Sequence, residues 1–270
     1  MKKIFYLVPI LLFAIILKCG EKTPQPPAPS KTPKPVVKKQ QQTQVENKTT
    51  SKSRATTLKS RVWPFDGDNE QEINLAQNLT SKNYILVFDG SGSMRETGCS
   101  AGRQKIAVAI EAVMEWSKTV PQDANLGLIA FHNNKWIILP LTAGHTDKFN
   151  STVKDIIAGG GTPLSNAFGK AYKAFTHQGK EQLGYGEYTI VVVTDGIAND
   201  ADKLSRYVNY ILNKTPINIY SIGFCIGKNH TLNQPGKTIY KAADNPAQLR
   251  QGLKQVLAEA KAFDEAEFNE

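Results

Sequence analysis

The stretch "YILVFDGSGSM", residues 84–94, passes from five apolar or aromatic residues into an aspartate, two glycines and two serines. A short, continuous apolar run of this kind is typical of a β-strand buried on both faces, as in a parallel sheet. The small oxygen-bearing residues after it predict a loop at the carboxyl end of that strand. The loop is therefore either a simple turn or one part of an oxygen-lined binding site.

Strand-like and helix-like patterns alternate along the rest of the chain. Two further buried strands are predicted at residues 188–194 and 217–224, and "TIYKAA" adds a short edge strand. The runs "NLGLIAF" and "KWIILPL", joined by "HNN", predict an antiparallel hairpin. Apolar spacing predicts helices at residues 103–119, 147–157, 163–177, 201–214 and 246–262. This alternation predicts a doubly wound α/β domain over residues 75–264, with a mainly parallel sheet, one antiparallel edge strand and helices on both faces.

Positive charge is concentrated in the first 60 residues. The chain has 270 residues and a formal net charge of +9. Residues 1–60 carry 12 Lys and Arg against two Glu, whereas residues 61–270 carry 21 Lys and Arg against 22 Asp and Glu. Because the predicted domain is nearly neutral, we do not expect a nucleic-acid groove in it.

The N-terminus has the composition of an export leader. Residues 4–17 are uncharged and mostly apolar, which suits a secretory signal but is short for a bilayer span of about 20 residues. Cys19 follows this run and resembles the lipidated cysteine of bacterial lipoproteins, although Lys18 stands where that motif has a small residue. Residues 1–19 therefore predict a membrane-anchored protein of the bacterial cell envelope. Either Cys19 is lipidated, or the leader is cleaved elsewhere or kept as a short anchor.

A polar segment follows the leader. Residues 20–60 are rich in Pro, Lys, Gln, Thr and Ser, and such a composition cannot bury enough apolar surface to offset the entropy lost on ordering. We expect this segment to be a tether. Residues 61–74 are a transitional stretch before the domain, and residues 265–270 are a short tail.

Oxygen-bearing side chains lie in three predicted loops. Asp89, Ser91 and Ser93 follow the first strand, Thr162 lies in "GGGTPL" before a helix, and Asp195 follows the strand "YTIVVVT". Ligands of open parallel sheets bind beyond the carboxyl ends of the strands. Carboxylates and hydroxyls without Cys or His suit Mg²⁺ or Mn²⁺, and Ca²⁺ less well. In the simpler interpretation, the aspartates cap helices and the glycines form a turn.

These five residues, in this order and placement, resemble the metal-ion-dependent adhesion site (MIDAS) of the von Willebrand factor type A (vWA) domain. The resemblance covers about two-thirds of the chain, and all five positions match. It implies that Ser91 and Ser93 bind the metal directly, that Thr162 does so directly or through water, and that Asp89 and Asp195 act largely through water. It also implies that an acidic side chain of a protein partner completes the coordination.

Two cysteines belong to the predicted domain. Cys99 follows the first oxygen-bearing loop and Cys225 follows the strand "INIYSIGF", so both are expected at the carboxyl edge of the sheet. In an exported protein such cysteines are commonly bridged. We expect a Cys99–Cys225 disulfide; the alternative is two separate, partly buried thiols.

The sequence favours a binding function over catalysis. We expect a membrane-tethered, metal-dependent protein-binding module of the adhesion type, not an enzyme. One alternative is a Mg²⁺-dependent phosphoryl hydrolase with Asp89 as nucleophile, although Ser91 stands where a second carboxylate would be needed. The other is a purely structural envelope domain that binds metal but no partner.

Overall fold

The computed structural model describes residues 62–65, 73–144 and 146–266, with side chains described up to residue 258. The predicted leader, the tether and the lipidation candidate Cys19 lie outside the described residues, as do most of the transitional segment and of the tail. Within the described part of the chain, no helix is both long enough and apolar enough to span a membrane.

The described residues form six strands and five helices. The strands are β1 (Lys82–Gly90), β2 (Asn125–His132), β3 (Lys135–Thr142), β4 (Glu187–Thr194), β5 (Ile217–Phe224) and β6 (Ile239–Ala243). The helices are α1 (Lys105–Ser117), α2 (Thr146–Lys154), α3 (Leu164–Glu181), α4 (Ala201–Lys214) and α5 (Pro246–Ala266). A short 3-10 turn, Gly92–Arg95, follows β1.

The strands form one mixed sheet in the order β3-β2-β1-β4-β5-β6. Only β3 is antiparallel, and it pairs with β2 at the edge of the sheet. The other neighbouring strands are parallel. The predicted fold class, including its single antiparallel edge strand, is confirmed.

Alternate side chains of β1 enter two separate cores. Tyr84, Leu86 and Phe88 pack with α1, α2 and α5 on one face of the sheet. Ile85 and Val87 pack with α3 and α4 on the other face. This double burial explains why the strand has no polar alternation, and it fixes the position of the loop that follows.

Helix boundaries differ from the predicted ones by a few residues. Helix α2 ends at Lys154 rather than at residue 157, because the backbone N–H of Ile156 bonds to the carbonyl of Val153 and the chain then turns towards the glycine loop. Pro163 precedes the first residue of α3 instead of lying in its first turn, and α3 extends to Glu181. Helix α5 extends to Ala266.

Candidate metal centre

The centre of the sheet is also the point where its strand order reverses. From β1 the chain builds β2 and β3 on one side, then crosses to β4 on the other side. Asp89 lies at the end of β1, beside the last residues of β4. Asp195 directly follows β4. The two predicted carboxylates are therefore neighbours at the carboxyl edge, where open α/β sheets bind ligands.

The Asp89 carboxylate is fully buried, with a hydrogen bond to each oxygen. The backbone N–H of Ser91 donates to Oδ1 at 2.8 Å, and the Thr194 hydroxyl donates to Oδ2 at 2.5 Å. Burial raises the pKa of Asp89 to about 6, although these hydrogen bonds partly oppose the shift and the nearby Asp195 adds to it. A cation nearby would favour the ionised form of this buried carboxylate.

Two serines connect the first loop to Asp195. The Ser93 hydroxyl donates to Asp195 Oδ1 at 2.7 Å, and the Ser91 and Ser93 hydroxyl oxygens lie 3.1 Å apart. Ser91 and Asp195 are buried, and Ser93 is half-buried. The loops after β1 and β4 thus meet through oxygen-bearing side chains, as the sequence predicted.

Thr162 reaches the same place from the glycine loop. A Cβ built on Gly196 would lie 3.4 Å from Thr162 Oγ1 and 3.6 Å from Ser93 Oγ, so both hydroxyls border the residue after Asp195. Asn199 makes two hydrogen bonds to the backbone of Thr162. Its side-chain Oδ1 accepts from the Thr162 N–H, and its backbone N–H donates to the Thr162 carbonyl. The structure therefore brings all five predicted residues together, and we call their side chains the oxygen cluster.

Backbone hydrogen bonds attach the glycine loop to the first loop. Gly92 N–H donates to the Gly160 carbonyl at 2.9 Å, and Gly159 N–H donates to the Gly90 carbonyl at 2.8 Å. Gly160 has a φ of 79°, and any Cβ on Gly159 would collide with the Asn133 side chain. These glycines are needed for conformation and close approach.

A buried lysine, not predicted from the sequence, lies beside the oxygen cluster. Lys105 Nζ donates to Asp195 Oδ2 and to Glu96 Oε2, at 2.9 Å in each case. Burial by itself lowers the pKa of Lys105, but its hydrogen bonds to Asp195 and Glu96 and the charges of these carboxylates raise it above its ordinary value. Lys105 is the first residue of α1. The sequence did contain a signal, because the helix dipole disfavours a cation at that end.

Two other contacts support the loops of the site. Cys99 and Cys225 form a disulfide with their Cα atoms 6.1 Å apart, which is the expected pairing and joins the first loop to the end of β5. His230 Nδ1 accepts the N–H of Leu232, so its Nε2–H donates to the Gly196 carbonyl at 3.0 Å. Burial lowers the pKa of His230, although its hydrogen bond to the Gly196 carbonyl partly opposes this shift.

The donor chemistry of the oxygen cluster fits a hard divalent cation. It offers hydroxyl and carboxylate oxygens only, which are the donors that Mg²⁺ and Mn²⁺ take in proteins. Within the described residues, no group of three or more His, Cys, Asp or Glu side chains could hold a metal ion. The site would therefore depend on its hydroxyls as much as on its two carboxylates.

Part of the chain matches a known family model. Residues 84–197 match the family model described as von Willebrand factor type A domain, and this range includes all five residues of the oxygen cluster. No curated protein sequence matches the chain.

Several solved structures are similar to the domain. A von Willebrand factor type A protein from Catenulispora acidiphila has 16% identity and a TM-score of 0.53, over 66% of this chain and 42% of that one. The pilus adhesin SpaC from Lactobacillus rhamnosus GG has 12% identity and a TM-score of 0.55, over 69% and 31%. The manganese-loaded TRAP protein of Plasmodium vivax has 17% identity and a TM-score of 0.50, over 65% and 73%.

The chain spans less than half the length of the first two of these structures. At such identities the similarity concerns the fold. Together with the match over residues 84–197, it shows that the described domain has the von Willebrand factor type A fold.

Proposed function

We propose that this domain is a metal-dependent protein-binding module of the adhesion type, with a MIDAS that holds Mg²⁺ or Mn²⁺ and binds an acidic group of a protein ligand. The observation that carries the proposal is the convergence of three loops on one oxygen cluster. The hydrogen bond of 2.7 Å between Ser93 and Asp195 joins two of these loops across 102 residues of sequence. Capping of separate helices does not explain that contact.

The hydroxyls and the carboxylates of the oxygen cluster would have different tasks. The hydroxyls of Ser91, Ser93 and Thr162 would hold the metal, and the two carboxylates would balance its charge. When bound, the metal would supply a Lewis-acidic position for a partner's carboxylate. Thr194 and the Ser91 N–H orient Asp89, and Asn199 orients Thr162.

The contacts of Asp89 favour binding over catalysis. A phosphoryl hydrolase needs a carboxylate oxygen that can reach the substrate. Asp89 is fully buried and both of its oxygens accept hydrogen bonds. Lys105, the kind of residue that a phosphoryl hydrolase also uses, is paired with Asp195 and Glu96. A phosphatase assay of the wild-type chain and of Asp89→Asn, with p-nitrophenyl phosphate and Mg²⁺, should detect no turnover in either.

The proposed setting is the bacterial cell envelope, with the domain held at a membrane by its N-terminal leader or by lipid on Cys19. The leader-like composition of residues 1–19 supports this setting. The similar structures support the adhesive role, since one is a pilus adhesin and another is a manganese-loaded protein. Protein partners fit the near-neutral charge of residues 61–270 better than nucleic acid does.

Metal binding is tested first, by calorimetric titration of the chelator-treated full chain with Mg²⁺ and Mn²⁺. We expect one binding site in the wild-type chain and none in a Ser91→Ala, Ser93→Ala double variant. The serine pair is chosen because these hydroxyls are uncharged, so their removal leaves the charge of the site unchanged. A double variant with wild-type affinity would place the metal elsewhere.

Partner binding is tested separately, by pull-down from cell-surface and matrix proteins. Three conditions are compared: the wild-type chain with Mg²⁺, the wild-type chain with EDTA, and Asp195→Ala with Mg²⁺. We expect specific proteins only in the first condition. Recovery of the same proteins in all three would reject metal-dependent adhesion, and recovery of none in any would support a purely structural domain.

A further inference from the structure

Lys105 places a full positive charge directly beside the oxygen cluster. Its side chain is only 6% exposed, and its ammonium contacts the fully buried side chain of Asp195 at 2.9 Å. The second contact, with Glu96, also has a length of 2.9 Å, but Glu96 is largely exposed. A solvent-exposed pair contributes little, whereas a buried pair is screened little by water. The contact with Asp195 is therefore the stronger electrostatic link.

The backbone keeps Lys105 in this position. Its N–H donates to the carbonyl of Glu96 at 2.9 Å, which closes the loop between the 3-10 turn and α1. Two neighbouring residues of α1, Ile106 and Val108, are buried in the core, so the first turn of the helix is fixed. The Cα of Lys105 thus cannot move without breaking both this backbone bond and the packing of the helix.

The two oxygens of Asp195 serve different partners. Oδ1 accepts from Ser93, within the oxygen cluster, and Oδ2 accepts from Lys105. The ammonium therefore neutralises a carboxylate that the proposed metal would also need. The negative charge of Asp195 would therefore be shared between the Lys105 ammonium and the proposed metal ion.

We propose that Lys105 is a built-in counter-cation, which holds the metal-free site together and competes with the metal for the charge of Asp195, so that it weakens metal binding. The inference rests on the proposed metal-binding function. A monovalent and a divalent cation that share one buried carboxylate repel each other strongly at low effective dielectric constant. Without the metal, the same ammonium prevents a buried, unpaired Asp195.

The test removes the charge in two ways in the full chain. Lys105→Met keeps the apolar stem without a charge, and Lys105→Gln keeps a hydrogen-bond donor without a charge. Lys118→Met is the matched control, because Lys118 is exposed just beyond the other end of α1, about 20 Å away along the helix axis. Each chain is treated with chelator and titrated calorimetrically with Mn²⁺ and with La³⁺, and its melting temperature is measured in EDTA.

We expect both Lys105 variants to bind Mn²⁺ more tightly than the wild type, by roughly tenfold or more. The gain should be larger for La³⁺, because repulsion scales with the charge of the ion; a tenfold gain for Mn²⁺ corresponds to about thirtyfold for La³⁺. In EDTA both variants should melt lower than the wild type, by roughly 5 °C or more. Lys118→Met should match the wild type in all three measurements.

The titrations distinguish failure of the role of Lys105 from failure of the proposed metal site. If the wild type binds Mn²⁺ and the Lys105 variants bind it equally or more weakly, Lys105 only positions Asp195 and the inference is wrong, while the proposed function stands. An equal gain for Mn²⁺ and La³⁺ would likewise exclude repulsion as the cause. If no chain binds either ion, the inference and the proposed function both fail. Binding by the variants but not by the wild type would support competition by Lys105 and would contradict the proposed function, which expects the wild-type chain to bind metal.

Discussion

At the scale of single residues, burial opposes ionisation of the Asp89 carboxylate. This carboxylate is fully buried, and its pKa is raised from 3.8 to about 6. An acid with a raised folded pKa contributes stability that is fully present below the unfolded pKa. That contribution is lost as the pH rises through the folded pKa. The metal-free domain should therefore lose stability between about pH 4 and pH 6, as Asp89 ionises.

Asp89→Asn should remove this loss. The rise in the pKa of Asp89 to about 6 corresponds to a loss of roughly 3 kcal/mol in stability when the carboxylate ionises. Asparagine avoids this loss but gives up a charge-assisted hydrogen bond with Thr194. We therefore expect a gain of about 1–3 kcal/mol in the free energy of unfolding at pH 7.5 in EDTA. Urea unfolding at pH 4 and pH 7.5 measures the difference. The variant should also bind Mg²⁺ at least tenfold more weakly, because a negative charge beside the proposed metal is lost.

An exposed residue provides the comparison. Asp123 is a solvent-exposed aspartate that precedes β2, at the amino-terminal edge of the sheet. Asp123→Asn should change neither the free energy of unfolding nor the affinity for Mg²⁺. If Asp89→Asn is less stable than the wild type at pH 7.5, burial of the ionised Asp89 carboxylate does not destabilise the folded domain.

The sequence predicted the oxygen cluster better than it predicted the surroundings of the cluster. Asp89 and Asp195 end apolar strands, so their shared edge follows from the topology of parallel sheets. The position of Lys105 at the start of a helix is unusual for a cation, but it does not identify the partner of Lys105. Thr194 simply ends a strand. Their roles depend on contacts across 90 and 105 residues of sequence, which no local pattern contains.

At the scale of elements, the glycine loop determines whether Thr162 can join the oxygen cluster. The loop lies against the β2–β3 turn, where the N–H of Asn133 donates to the Gly159 carbonyl at 2.6 Å. The periodicity of strands and helices predicted each element to within a few residues, yet it could not predict this contact between two loops. Only the packed sheet brings the hairpin turn beside the glycines.

Gly159→Ala should displace this loop. The added methyl group would collide with the Asn133 side chain and lie 2.8 Å from Arg95 Nη2. We expect a loss of about 1–3 kcal/mol in the free energy of unfolding, which is typical of overpacking, and weaker Mg²⁺ binding because Thr162 moves with the loop. Gly98→Ala is the control, since a Cβ there meets no atom within 4 Å. Equal stability of the two variants would show that the loop adapts without cost.

The disulfide is a second connection between elements. It joins residues 126 apart in sequence and connects the first loop to the end of β5. Closing so long a loop restricts the unfolded chain, so a Cys99→Ser, Cys225→Ser double variant should lose about 2–4 kcal/mol in the free energy of unfolding. Urea unfolding with and without reductant measures this loss, and reductant should affect only the wild type. Two titratable thiols from Cys99 and Cys225 in the unreduced, denatured chain would contradict the bridge.

At the scale of the whole molecule, the segment with the net positive charge and the domain with the proposed metal site are different parts of the chain. The net positive charge lies before residue 61, while the domain that carries the oxygen cluster is nearly neutral. Such a domain has no long-range attraction for anionic polymers. Its proposed selectivity for an acidic group therefore depends on a local cation at the carboxyl edge of the sheet, and Lys105 adjusts how strongly that cation is held.

The stable domain begins before residue 75 if the contacts of Trp63 contribute to its stability. Residue 75 was predicted as the start, yet Trp63 is buried on the α3 face of the sheet, where its ring lies 4.9 Å from that of Tyr188 and its Nε1 donates to Thr176. Burial of a tryptophan contributes about 3–5 kcal/mol, so a fragment of residues 75–270 should melt well below a fragment of residues 61–270. Trp63→Ala in the longer fragment should reproduce most of that decrease, as scanning calorimetry can measure. Equal melting temperatures of the two fragments would instead place the start of the stable domain at residue 75, because the contacts of Trp63 would then add nothing to its stability.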